Sequence, residues 1–381
     1  MKKSLLAFAV LGVFASGAFA APSVTLYGVM DTGLQYNHYN PDLQGKDSTD
    51  TFSMESGVTA GNRWGLKGEE SIGAAKVGFT LESGFRTDDG TSLQNSRLFG
   101  REATIHVKSS HCGTLYAGRM GKLISTAGPL ARGGWMSPFG VLWADATVKG
   151  ATGADWERID NTLGYASPKF AGFQALAQYS FKADNKDSDD GTEGTSHASR
   201  FASLGLTYQA GKFQAALLGD YSMWGDAVSE KGVDNGYNIM LGGNYDFGVA
   251  RVYAMANYFD NLASFLTLKA GGVKALKATG DTVKNGKLVK GNKGFKGWGA
   301  ELGTKVPAFG GTFLAQVNYR DVEGVEGNDE YKRLAAGLGY TYPFSKRTNA
   351  YAGVTYAQEK AEQNGSKPSS TSVFAGLVHK F

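Results

Sequence analysis

The chain has 381 residues, and its 39 Lys and Arg against 35 Asp and Glu leave a formal charge of +4, a near balance that argues against nucleic acid as a partner. Glycine is abundant at 54, Phe and Tyr reach 22 and 18, and Pro is only 8. One Cys cannot staple a secreted scaffold.

The chain opens on Met1-Lys2-Lys3, a basic stretch, followed by an apolar run from Leu5 to Phe19 and the small-residue site Ala18-Phe19-Ala20. That pattern predicts a secretory leader over 1–20 and a mature chain over 21–381 forming one domain. A retained membrane anchor is the alternative, against which the run is short for a span. Without Lys2 and Lys3 the formal charge falls from +4 to +2. No later apolar run of about eighteen residues offers a membrane helix.

From Ser23 onward the unit is an aromatic- and β-branched-rich strand of about ten residues followed by a turn signal. SVTLYGVMDTGLQYN, KVGFTLESGF, FQALAQYSFKA, ASLGLTYQ, FQAALLGDYS, NIMLGGNYDF, RVYAMANYF, GTFLAQVNYRDV, LAAGLGYTYPF and NAYAGVTYAQ follow in order. In the last, Ala350, Ala352, Val354 and Tyr356 share one face, and Tyr351, Gly353, Thr355 and Ala357 the other. Connectors alternate: short turns at 210–212, 308–311 and 345–348, long polar loops at 184–198, 225–235, 261–294 and 360–371. Cys112, in SSHCGT, reads as a small turn residue.

Short-long alternation describes an antiparallel meander with one tight rim and one looped rim, as in a transmembrane β-barrel. A sheet in lipid must close, because no backbone group can go unpaired. The final segment, VFAGLVHKF, fits a closing strand ending on Phe381. Roughly 360 residues at about 22 per strand and half its connectors give near sixteen strands. A secreted β-sandwich or propeller is the soluble alternative. It would not welcome Asp31, Arg63, Lys67, Glu82, Arg101, Glu102, Arg119 and Arg320 within strands, whereas a polar lumen would.

The segments SVTLYGVMDTGLQY, GNRWGLKGEESIG (61–73), LFGREA (98–103), CGTLYAGRMG (112–121), DNTLGYASPKFAGF (160–173) and the terminal Phe381 together resemble the general porins of Gram-negative outer membranes. The similarity is to the β-proteobacterial, Neisseria- and Burkholderia-like branch, and it covers the mature chain. It implies an all-β, up-and-down barrel of about sixteen strands, a homotrimer, and passive diffusion of ions and small hydrophilic solutes. It also implies that Phe381, after the basic Lys380, is read by the outer-membrane assembly machinery. Outer-membrane lipid and lipopolysaccharide would be the surroundings, with no cofactor and no metal. An adhesin or surface receptor acting through the long loops is the alternative function.

The Gly-rich stretch 121–157, with Trp135, Ser137-Pro138-Phe139-Gly140 and Trp143, is long enough to be functional. It matches the family's third loop, which folds inward to narrow the lumen. By the same resemblance Arg63, Arg101 and Arg158 line a basic wall, with Arg119 on the strand entering the loop. Asp145, Asp155, Glu157 and Asp160 are the acidic candidates. Opposed fixed charges would set ion preference at close quarters, and arginine stays charged at any working pH. Together with the lysines below, this group predicts a modest anion preference.

The resemblance gives no pattern for 261–294. There and just beyond it, Lys269, Lys274, Lys277, Lys284, Lys287, Lys290, Lys293 and Lys296 meet only Asp281. A solvated external loop is the expectation, with an anion funnel or a lipopolysaccharide clasp as alternatives. Deleting an external loop would leave conductance intact. Asp184, Asp187, Asp189, Asp190 and Glu193 lack an EF-hand spacing and read as solvated. His38, His106, His111, His197 and His379 fall in no triad or metal spacing. No enzyme is expected.

Overall fold

The computed structural model describes residues 23–144, 147–153, 158–186, 190–269, 272–284, 287–326 and 329–381. The expected leader and the candidates Asp145, Asp155 and Glu157 lie outside the described residues, as do Asp187 and Asp189.

The wall begins with β1 (Ser23–Asn40), β2 (Thr49–Ser56), β3 (Arg63–Ile72), β4 (Ala75–Gly84), β5 (Glu102–Ser109) and β6 (Gly113–Gly121). It continues through β7 (Arg158–Ala166), β8 (Phe173–Ser180), β9 (Arg200–Ala210), β10 (Phe213–Met223), β11 (Gly236–Asp246) and β12 (Arg251–Leu262). Next comes a two-stranded ribbon, β13 (Ser264–Lys269) with β14 (Gly272–Lys277), and a second short pair, β15 (Thr282–Lys284) with β16 (Lys287–Val289). The wall resumes at β17 (Phe295–Ala308), β18 (Gly311–Gly324), β19 (Glu330–Pro343), β20 (Thr348–Ala361) and β21 (Ser369–Lys380).

Each wall strand pairs antiparallel with its neighbour, and β21 returns to β1 in a register from Val29↔Lys380 to Asn40↔Ser369. β2 faces Thr32 to Tyr39 of β1, and β3 faces Ser23 to Val29 on the same edge. The two therefore fill a single position, and the closed barrel has sixteen. The break between them is held by Asp31, which has no solvent exposure. Its carboxylate accepts from the Thr59 and Ala60 N–H groups, both at 2.7 Å, and from the Tyr351 hydroxyl at 2.6 Å.

Alternation along each strand is inverted relative to a soluble protein. In β11, Tyr237, Ile239, Leu241 and Tyr245 are exposed, while Asn238, Met240 and Asn244 are buried. Tyr237 and Tyr245 are eight residues apart, roughly 27 Å along a strand. Tilted, that matches the height of a lipid-facing band with aromatic flanks. The tight turns carry exposed Phe170, Phe247, Phe309 and Phe344, which suits aromatic anchoring at one interface. No helix among the described residues is long and apolar enough to cross a membrane; the strands do so.

The seam explains the apolar C-terminus. Phe381 N–H donates to the Gly28 carbonyl at 3.1 Å, and Gly28 N–H donates to the Phe381 carbonyl at 3.0 Å. The Phe381 ring lies over Gly28 so closely that a Cβ there would sit 2.2 Å from Cζ. Deleting Phe381 removes both bonds, each a net contribution of about 0.5–1.5 kcal/mol. We expect a lower temperature for the folded-to-unfolded gel shift of the purified barrel; an unchanged shift would show that the last residue does not seal the seam.

Candidate functional site

Residues 122–157 connect β6 to β7, and the described part crosses the lumen. Its apolar side chains are deeply buried: Leu123, Ile124, Leu130, Met136 and Val148 form one cluster with Met120, Leu176, Leu218, Met240 and Met255 of the wall. Phe139 stacks on Trp143 at 4.9 Å, and Trp143 meets Phe374 at 5.8 Å and Tyr351 at 6.0 Å. A disordered segment could not make such a core; the inward-folded loop is part of the fold.

The wall is shaped to receive it. A Cβ on Gly164 would lie 2.7 Å from Leu130, on Gly242 2.9 Å from Met136, on Gly303 2.5 Å from Pro138 and on Gly339 2.4 Å from Trp143. These glycines stand on β7, β11, β17 and β19, and each is a notch for one loop side chain. Polar ties fix the height of the crossing. Gln178 donates to Gly121 O at 3.0 Å, Asn244 to Trp135 O at 2.8 Å, Ser137 to Gln316 at 3.0 Å, and Trp143 N–H to Val58 O at 2.8 Å.

The arginines converge on the stretch of wall formed by β3 to β7. Glu82 joins Arg63 at 3.3 Å and Arg101 at 2.6 Å. Arg158 donates to the backbone carbonyl of Arg101 at 2.7 Å, and Arg119 to that of Gly100 at 2.8 Å. Arg101 fits because residue 61 is glycine; a Cβ there would lie 2.9 Å from its NH1. All four arginines named from the sequence thus occupy one wall.

Asp160 belongs to that same wall instead of facing it. It pairs with Arg119 at 2.5 Å and with Arg97 at 3.1 Å. Arg97, which the sequence did not single out, also pairs with Asp184. Partial burial pulls the Asp184 carboxyl upward, but the Lys186 N–H and the Arg97 guanidinium outweigh it and hold the group below the usual carboxylate range. Five guanidinium groups therefore share Glu82, Asp160, Asp184 and the nearby Glu102.

Two further basic features went unforeseen. On the tight-turn side of the loop, a cavity lined by Phe139, Trp143, Thr312 and Asn349 also meets Lys305 and Lys380. On the other side, Arg320 and Arg333 are almost wholly buried and share Glu359, at 3.4 and 3.3 Å.

The lysine-rich segment departs from a simple external loop. Its first strand, β13, lies inside the barrel, with Phe265 and Leu268 buried at 2% and 3% exposure. The distal part is less embedded: Lys293 pairs with Glu326 at 2.7 Å, and Lys296 with Glu323 at 3.1 Å. Apolar residues interleaved with the lysines drive the inward fold, because Phe265-Leu266-Thr267-Leu268 has a wall to cover. His38 and His197 sit at the surface beside Asp50 and Asp226, whereas the half-buried His106 lies 3.8 Å from Glu69 and 5.6 Å from the Tyr116 ring. Cys112 is exposed at its turn.

Comparison with known proteins agrees with this geometry. The Gram-negative porin family model matches residues 7–362. An outer membrane porin protein of Bordetella pertussis is 35% identical over all of both chains. Outer membrane porin protein 32 of Delftia acidovorans is 29% identical over 94% of this chain and 90% of its own length. The major outer membrane protein P.IB of Neisseria lactamica is 26% identical over all of both chains. Among solved structures, an anion-selective porin from Comamonas acidovorans superposes with a TM-score of 0.62 at 22% identity, over 94% of this chain and all of its own.

Proposed function

The chain belongs to the Gram-negative porin family, and on that premise we propose that its outer-membrane diffusion channel prefers anions. The carrying observation is the clustering of Arg63, Arg97, Arg101, Arg119 and Arg158 on one stretch of the barrel wall beside the loop. Among the described residues their carboxylates are outnumbered and engaged, which supports a surplus of positive charge facing a passing ion. Guanidinium groups suit the task, since they remain protonated and keep donors free beyond each pair. The Comamonas acidovorans protein is named anion-selective, which supports the reading by analogy. We assign Asp145, Asp155 and Glu157 to the acidic side of the constriction on sequence grounds.

The test is a salt-gradient recording across a planar bilayer. Arg101→Ser with Arg158→Ser should move the zero-current potential toward the cation side, by less in concentrated salt because the field is screened. An unmoved potential in a folded, conducting variant would remove these arginines from the selectivity determinants.

The family also supports a homotrimer and delivery by the assembly machinery through Phe381. A reading as channel and not enzyme rests on the same membership.

A further inference from the structure

β13 is fitted to the inner wall as closely as the constriction loop is. Leu268 packs in a buried cluster with Tyr39, Ala335 and Ala357. Ala335 and Ala357 are register partners, four positions inward from the Tyr331↔Ala361 pair that ends the ladder on the long-loop side. Two alanines side by side make a shallow notch, and Leu268 fills it. Its N–H donates to the Glu359 carboxylate at 3.0 Å.

Three residues earlier in the strand, Phe265 meets Phe295 at 4.8 Å and Tyr331 at 5.3 Å. The Arg320 guanidinium lies over its ring at 4.9 Å. Arg320 also donates to Thr152 O of the constriction loop at 3.4 Å. Ribbon and loop therefore share an anchor and lie one upon the other inside the barrel. Within the ribbon, Lys269, Lys274 and Lys277 are exposed.

We propose that the β13–β14 ribbon is a second constriction, narrowing the outer half of the lumen and setting Lys269, Lys274 and Lys277 along the anion path. The inference rests on the channel reading and adds to the arginine wall an element outside it. A passing anion meets the lysines first and the arginines next, with each cationic group fixed to a scaffold that packs on the wall. Buried apolar contacts hold the ribbon in place, so its position does not depend on salt.

Two variants of the full-length protein in planar bilayers decide the matter. Replacing 264–277 by a short Gly-Ser linker widens the outer half, and single-channel conductance should rise roughly 1.5- to 2-fold. Unchanged conductance would overturn the constriction. Should that variant fail to fold, charge reversal at the three exposed lysines (K269E, K274E, K277E) leaves the packing intact. It should shift the zero-current potential toward cations, and an unshifted potential would overturn their placement. A shift in the Arg101 and Arg158 variant without one here would retain the arginine wall and reject the ribbon.

Discussion

Replacing Gly299 with valine should unseat the constriction loop and raise single-channel conductance. Gly299 faces inward from β17, and a Cβ there would lie 1.7 Å from the Ala151 carbonyl oxygen and 2.7 Å from its carbon. Those are backbone atoms, so no side chain can swing aside to make room. The loop must lift, and overpacking of this kind costs about 1–3 kcal/mol. Asn318 to Thr147 O at 3.3 Å and Arg320 to Thr152 O at 3.4 Å are among the local ties that oppose the lift. Conductance should rise roughly 1.5-fold or more while ion preference weakens, because the same loop narrows the lumen beside the arginine wall. Gly219→Val, on the outward face of the wall with exposed Leu217 and Tyr221, is the control. It stands on β10 with nothing nearer a Cβ than Leu204 O at 4.0 Å, and it should conduct as the parent does. Equal conductance from Gly299→Val would mean that the loop does not rest on β17.

The barrel was legible in the sequence because two solvents imprint a period of two. Exposed Ile239 and Leu241 beside buried Asn238 and Asn244 are a local signal, read without knowing any partner. Closure was legible in the ordered apolar end at Phe381. The constriction loop and its arginines came through resemblance, and Arg63, Arg101, Arg119 and Arg158 do gather on one wall. Other features depend on pairings that no local pattern carries. Asp160 turned from an opposing acid into a partner of Arg97 and Arg119 because residues 63 and 41 positions away converge on it. In the ribbon, lysines dominated the reading, and the few apolar residues that decide its position were hidden among them. Glu359 drew no notice as one acid in a strand; its meaning comes from Arg320 and Arg333 on two other strands. The high glycine count also acquires a cause: several inward glycines are sockets for the loop.

Glu359→Ala should be among the most destabilising single substitutions in the lumen. The Glu359 carboxylate holds Arg320 and Arg333, side chains at 0% and 1% exposure, and accepts the Leu268 N–H. Removing one member of a buried ionic group leaves Arg320 desolvated without the carboxylate it pairs with, at a cost of about 3–5 kcal/mol. An exposed pair such as Lys332 with Glu330, at 2.6 Å, should contribute little when broken, because solvent screens it. Heat-induced unfolding of the purified barrel would therefore shift far more for Glu359→Ala than for Glu330→Ala. Glu359→Gln, which keeps the shape and one acceptor, should fall between them. The ribbon makes the comparison sharper. Phe265 and Leu268 help to bury the triad, so in the 264–277 deletion water reaches the guanidinium groups and the cost of Glu359→Ala should shrink. That coupling is measurable as a double-mutant cycle. Strict additivity would mean that the ribbon does not cover the triad, and a small shift for Glu359→Ala alone would mean that Arg320 and Arg333 do not depend on it.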